Sequence, residues 1–177
     1  PLFDEIGHSS GDIAIAPSIP NEVYVGTGEP NNRQSSSFGH GVYKTVDGTK
    51  FDFVGLKDTE SIGRIVVHPK NPDIAWVAAV GHLFGPNDER GVFMTTDGGK
   101  TWQHTLKINQ DVGANDVILD PSNQNHRLAS PCGGRRASWG FVGGGFGPGI
   151  HESTDGGKTW KRINDPKIAN GLPKGTM

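Results

Sequence analysis

The chain lacks most of what would place it in a familiar functional class, and each absence removes one. It has a single cysteine, Cys132, which excludes an internal disulfide and fits no zinc-ligand spacing. Its 17 basic and 19 acidic side chains nearly cancel over 177 residues, so there is no basic footprint for nucleic acid. No apolar run approaches the roughly 18 residues of a membrane span. Pro1-Leu2-Phe3-Asp4-Glu5 carries neither an initiator methionine nor a basic-then-apolar leader, and the sequence is expected to be a piece of something longer. It contains no Asn-x-Ser/Thr acceptor and no sustained helical periodicity. What it does contain is 27 glycines and 12 prolines, the composition of many short segments joined by tight turns.

One of those turns recurs. Thr95-Thr96-Asp97-Gly98-Gly99-Lys100-Thr101-Trp102 returns as Ser153-Thr154-Asp155-Gly156-Gly157-Lys158-Thr159-Trp160. A shortened copy, Thr45-Val46-Asp47-Gly48-Thr49-Lys50-Phe51, lies upstream, with Phe51 in the tryptophan position. A second landmark keeps the same period: Pro17, Pro69 and Pro121 each close a short apolar run and are spaced 52 residues apart. Two landmarks in step imply an array of like units.

Within each unit the pattern predicts four antiparallel strands, at about 12–16, 22–27, 41–46 and 51–55, then 63–68, 74–80, 91–96 and 102–107, then 114–119, 126–130, 149–154 and 159–164. Four strands per unit without helices describes a β-propeller blade. The expected architecture is an all-β propeller fragment: blades at 6–56, 57–108 and 109–166, residues 1–5 ending a preceding blade, and 167–177 leading to a next one. Three blades cannot close a ring, so the remaining blades of a parent propeller are expected partners.

The aspartates of the repeated turn invite a catalytic or calcium-binding reading, which the architecture outweighs. A carboxylate at a hairpin accepts backbone N–H groups, glycines take positive φ, and an aromatic residue anchors the turn. One such acid per blade is structural repetition. That assigns Asp47, Phe51, Asp97, Trp102, Asp155 and Trp160 to the scaffold. An EF-hand is excluded because Gly157 and Thr159 stand where acidic or amide ligands belong. Gly157-Lys158-Thr159 is not a phosphate loop, since Glu152 occupies the position of its leading glycine. No metal or cofactor is expected.

The form Ser/Thr-x-Asp-x-Gly-x-Thr-Trp resembles the Asp-box, or bacterial neuraminidase repeat, of sialidases, xyloglucan-cleaving glycosidases, sortilin-type receptor domains and a photosystem assembly factor. Gly26-Thr27-Gly28-Glu29, Ile62–Pro69, Gly81–Gly91 and Gly171-Leu172-Pro173-Lys174-Gly175 are similar to large bacterial proteins that carry a sortilin-like propeller and are often called glycosyl hydrolases. The resemblance implies that the Asp-boxes join third and fourth strands, on the face opposite the ligand site, and it suggests a secreted or periplasmic home. Loops between second and third strands would then form the ligand face. They offer Glu29, Asn31 and Arg33, then His82, Asn87, Glu89 and Arg90, then Arg135, Arg136 and Trp139, a mixture suited to a peptide, protein or glycan.

Catalysis of the types found in that family meets obstacles. A sialidase-like site needs a tyrosine nucleophile, and the two tyrosines, Tyr24 and Tyr43, fall inside predicted strands. A xyloglucanase-like site needs two carboxylates about 5 to 9.5 Å apart. Glu29, Asp88 and Glu89 have the right face for one of them, but in that family the pair is shared between two propellers. The expectation is a non-catalytic, sortilin-like recognition scaffold; the alternative is part of a glycoside hydrolase whose catalytic carboxylates are completed elsewhere.

Overall fold

A computed structural model describes residues 9–31, 33, 35–142 and 148–164. They form three four-stranded antiparallel sheets, each a simple meander. The first comprises Ser10–Ile15 (β1), Val23–Thr27 (β2), Val42–Thr45 (β3) and Asp52–Gly55 (β4). The second comprises Ile62–Val67 (β5), Ala75–Ala79 (β6), Gly91–Thr95 (β7) and Gln103–Leu106 (β8). The third comprises Val112–Leu119 (β9), Arg127–Gly133 (β10), His151–Ser153 (β13) and Lys161–Arg162 (β14). This is the expected propeller arrangement, with the Asp-boxes joining third and fourth strands. The segments expected to belong to neighbouring blades, 1–5 and 167–177, lie outside the described residues.

Two differences concern the third unit. β9 begins and β10 ends beyond the predicted limits, and the connection expected to be plain loop contains a separate hairpin, Arg135–Ala137 (β11) and Gly140–Val142 (β12). Pro131 is accommodated in β10 because it sits at a register shift against β9, where a residue without an N–H costs no ladder bond.

The core lies between blades. Ile65, Val77 and Phe93 of the middle sheet pack with Tyr24 and Val42 of the first. The alternate residues Trp76, Ala78, Val92 and Met94 pack with Val117 and Ala129 of the third. The period of two along a strand therefore feeds two separate apolar layers from one sheet, and it explains why β6 and β7 are buried throughout. Each fully buried apolar side chain contributes roughly 1.5–3 kcal/mol. On the outer blades the same alternation leaves Ile13, Ile15 and Ile118 exposed.

The innermost strands β1, β5 and β9 stand side by side. A Cβ on Gly63 would lie 2.5 Å from the Asn115 carbonyl oxygen, so a side chain there would force the strands apart. Beside this contact Arg64 donates through Nε to Asp116 Oδ1 at 2.9 Å and faces Asp12 Oδ1 at 3.8 Å. Asp12, Arg64 and Asp116 occupy the same place in successive units.

Each Asp-box closes its hairpin through hydrogen bonds. Asp97 Oδ1 accepts from the Thr101 N–H (2.9 Å) and the Thr95 hydroxyl (2.8 Å), and Oδ2 accepts from the Thr101 hydroxyl (2.6 Å). Asp155 repeats the set with Thr159 and Ser153. The Thr95 hydroxyl also accepts the buried Gly99 N–H at 2.9 Å. In the shortened copy this role passes to Gly48, whose N–H reaches Thr45 Oγ1 at 3.0 Å, while Asp47 Oδ1 receives Thr49 and Lys50 N–H groups. Gly98 and Gly99 both have positive φ, 77° and 93°, which a side chain would resist. The tryptophans anchor each turn to the preceding blade: Trp102 Nε1 donates to the Val54 carbonyl at 2.7 Å, and Trp160 Nε1 to Thr105 Oγ1 at 3.2 Å.

Candidate functional site

The face opposite the Asp-boxes is built by the connections between second and third strands. In the first, Glu29 pairs with Arg33, and its backbone N–H donates to the Ser37 carbonyl at 2.8 Å. The Asn31 carbonyl accepts the Arg33 N–H (2.9 Å) and the Ser36 hydroxyl (2.7 Å). Three of the residues expected at this rim thus form one self-bonded loop.

The second connection is held from within by Arg90. This residue, expected to present its guanidinium to a ligand, is completely buried and donates to the carbonyl oxygens of Val80 (2.6 Å), His82 and Gly85 (3.4 Å). It is a loop brace, because an arginine fork satisfies several carbonyls at once. Asn87 is also buried, and its Nδ2 donates to the Asp58 carbonyl at 3.2 Å. These two side chains belong to the scaffold. His82 is half-exposed and bonds the same Asp58 carbonyl through Nε2 at 3.0 Å; a carbonyl only accepts, so Nε2 carries the hydrogen. Asp88 takes Lys107 Nζ at 2.8 Å and Gln110 Nε2 at 3.2 Å, and the Lys107 ammonium, with Gln110, holds its carboxyl below the usual range. Glu89 lies in the turn just before Arg90.

The third connection is the β11–β12 hairpin. Arg135 Nη1 fastens it to Asp111 Oδ1 at 2.6 Å, and the Arg136 N–H fastens it to the Leu83 carbonyl at 2.7 Å. The Arg136 guanidinium stands 5.9 Å from the Phe141 ring centre. Trp139 occupies the tip and is 90% exposed.

Between the first two connections lies a pocket of about 260 Å³. Ser36, Ser37 and Phe38 line one side, His82, Leu83 and Phe84 the other, and Glu60 with Ser61 comes from the segment entering β5. Phe38 and Phe84 are both more than half exposed. The sequence reading placed His82 here but missed Glu60, Phe38 and Phe84. Glu60 escaped because it precedes a first strand and does not lie in a second-to-third connection. The phenylalanines were legible as apolar residues set in polar loops.

Geometry of this kind, a hairpin-closing acid in every blade and polar connections on the other face, has a family signature. The BNR/Asp-box repeat family matches residues 93–104 and 151–162. The chain carries Asp-box repeats on a β-propeller fold. It is 22% identical, over 92% of its length, to a probable oligoxyloglucan-reducing end-specific xyloglucanase of Neosartorya fischeri, and covers 19% of that protein. Among solved structures it resembles the GH74 enzyme of Niastella koreensis (TM-score 0.55, 22% identity, 89% of this chain and 23% of the other). It also resembles the GH74 xyloglucanase of Xanthomonas campestris (0.59, 12%, 92% and 23%) and YCF48 from Cyanidioschyzon merolae (0.51, 19%, 89% and 38%). The segment spans about a fifth of the curated relative's length, and at these identities the likeness concerns fold. Among the described residues no helix is long and apolar enough to cross a membrane.

Proposed function

We propose that these blades are a non-catalytic recognition surface, in the manner of a sortilin-like propeller, which binds a peptide, protein or glycan through the connections between second and third strands. One observation carries the reading. Several of the face's charged side chains are spent on holding its loops, as in Glu29–Arg33, Asp88–Lys107, Arg135–Asp111 and Arg90 on three carbonyls, while aromatic groups such as Phe84, Phe141 and Trp139 are exposed. A glycosidase acid must be unpaired and shifted upward to donate a proton, and Asp88 is shifted downward. Recognition needs rigid loops that present rings and hydrogen-bonding groups.

The second reading, a portion of a xyloglucan-cleaving enzyme with catalytic carboxylates completed by other blades or a second propeller, draws on the likeness to GH74 proteins. The two separate in one experiment on the full-length protein, comparing turnover and binding of xyloglucan and related β-glucans. Saturable binding without turnover, weakened by Trp139→Ala, is the expected result. Turnover abolished by Glu29→Gln or Glu89→Gln would overturn it. A secreted or periplasmic home is part of the same proposal, by analogy with glycoside hydrolases of this kind.

A further inference from the structure

Among the described residues, the pocket between the first two loops brings a partly exposed carboxylate together with two exposed rings. We propose that it is a subsite for a cationic side chain, lysine or arginine, of a peptide ligand; this deepens the recognition reading above and rests on it. Phe38 and Phe84, 63% and 57% exposed, stand on opposite walls. The faces of such rings are electronegative and attract a cation. Glu60 supplies the formal charge. Glu29, Asp88 and Asp111 each have an arginine or lysine within ion-pair distance, whereas the ion-pair contact of Glu60 is with the His82 ring, at 3.5 Å, and the Arg90 guanidinium that attracts it from further away is buried and spent on three carbonyls. The His82 ring is already committed through Nε2 to the Asp58 carbonyl.

The backbone of Glu60 carries the second argument. Its φ is 54° and its ψ −37°, a region that a residue with a side chain occupies only under constraint. The constraint is visible: the Gly39 N–H grips the Glu60 carbonyl at 2.5 Å, and Gly28 approaches so closely that a Cβ there would lie 2.0 Å from the same oxygen. Two connections thus fix one strained residue in the lining of the pocket. A volume of about 260 Å³ lies below the range of sites for drug-sized molecules, roughly 300–1,000 Å³, and suits a single long side chain. The charge there is of the wrong sign for a phosphate or carboxylate ligand.

The test uses acetyl-Gly-Arg-Gly-amide, its lysine counterpart and its neutral citrulline counterpart, titrated into the full-length protein and followed by saturation-transfer NMR. The arginine and lysine peptides should bind, the citrulline peptide about tenfold more weakly, a factor set by one charge-assisted contact at a partly exposed site. Glu60→Gln should remove that difference. Glu60→Gly relieves the backbone and should raise the melting temperature while losing the preference, which separates binding from folding. Equal affinity for the citrulline peptide, an unaltered preference in Glu60→Gln, or no binding of the cationic peptides would overturn the proposal. Binding of cellotetraose with the same dependence on Glu60 would also overturn it in favour of a neutral sugar. Ligand binding that depends on Trp139 but not on Glu60 would sink the subsite and leave the recognition reading standing, whereas xyloglucan turnover would sink that reading itself.

Discussion

If the Asp-box is a structural clasp, its most consequential atom is the hydroxyl beneath the aspartate. Thr95 is buried, and its Oγ1 both donates to Asp97 Oδ1 at 2.8 Å and accepts the Gly99 N–H at 2.9 Å. Thr95→Val keeps the shape and removes both bonds, along with the longer one accepted from the Asp97 N–H at 3.3 Å. The lost donor bond is worth about 1 kcal/mol, and a buried N–H left without an acceptor costs about 1–3 kcal/mol more, so a loss of about 2–4 kcal/mol is expected. With a urea slope of about 2 kcal/mol/M, the unfolding midpoint of the full-length protein should fall by about 1–2 M, followed by tryptophan emission. Thr101→Val is the control. Its hydroxyl also reaches Asp97, at 2.6 Å, but in an exposed position, where water replaces it, and it should cost under about 1 kcal/mol. Equal losses for the two variants, or a Thr95→Val loss below about 0.5 kcal/mol, would refute the claim that buried satisfaction of the turn, and not the visible aspartate contacts, holds the hairpin.

Acid should loosen the same turns. Hydrogen bonds from the Thr101 hydroxyl and N–H, then from Thr95, lower the Asp97 carboxyl to about 2, and Thr159 acts likewise on Asp155. A depressed folded value means stability present above the unfolded value of about 3.9 and lost as pH falls through about 2; Asp97→Asn should flatten stability measured between pH 5 and 2. His126 behaves oppositely. Asp120 at 3.1 Å and Glu152 at 2.8 Å raise its pKa, so its contribution is full below about 6.5 and disappears as pH rises through the folded value. An NMR titration should place His126 above the ordinary histidine range, and Asp120→Asn should lower it. Removing the buried fork in Arg90→Met should cost on the order of 3 kcal/mol and open the 81–89 loop to limited proteolysis; an unchanged digestion pattern would show that the loop holds itself.

The fold was legible because propeller architecture repeats its constraints. Asp97 and Asp155 with their glycines announced the hairpins, and Pro17, Pro69 and Pro121 gave the register of the units. The continuous apolarity of Ala75–Ala79 correctly implied a strand covered on both faces. The β11–β12 hairpin was not legible. Its turn residues, Ser138 and Trp139, supply none of the Asn-Gly or Asp-Gly chemistry that marks two-residue hairpins, and its strands are only three residues each. What holds it is tertiary, the Asp111 carboxylate and the Leu83 carbonyl, and local sequence carries no record of either.

The site was legible only as a region, for a related reason. Charged residues in long loops look alike in sequence whether they meet a ligand or one another. Of the residues expected at the rim, Arg90 and Asn87 turned inward, and Glu29, Arg33 and Arg135 found partners. A loop of a dozen residues must satisfy its own backbone and charges before it can present anything, and polar side chains are the means available. The groups left to face outward are those that cannot serve as braces, the rings of Phe84 and Trp139, and a partly exposed acid, Glu60, whose ion-pair contact is a histidine ring. Composition therefore pointed to these loops without showing how their side chains are used: polar residues such as Arg90, Glu29 and Arg135 organise the loops, and the rings of Phe84 and Trp139 are left exposed.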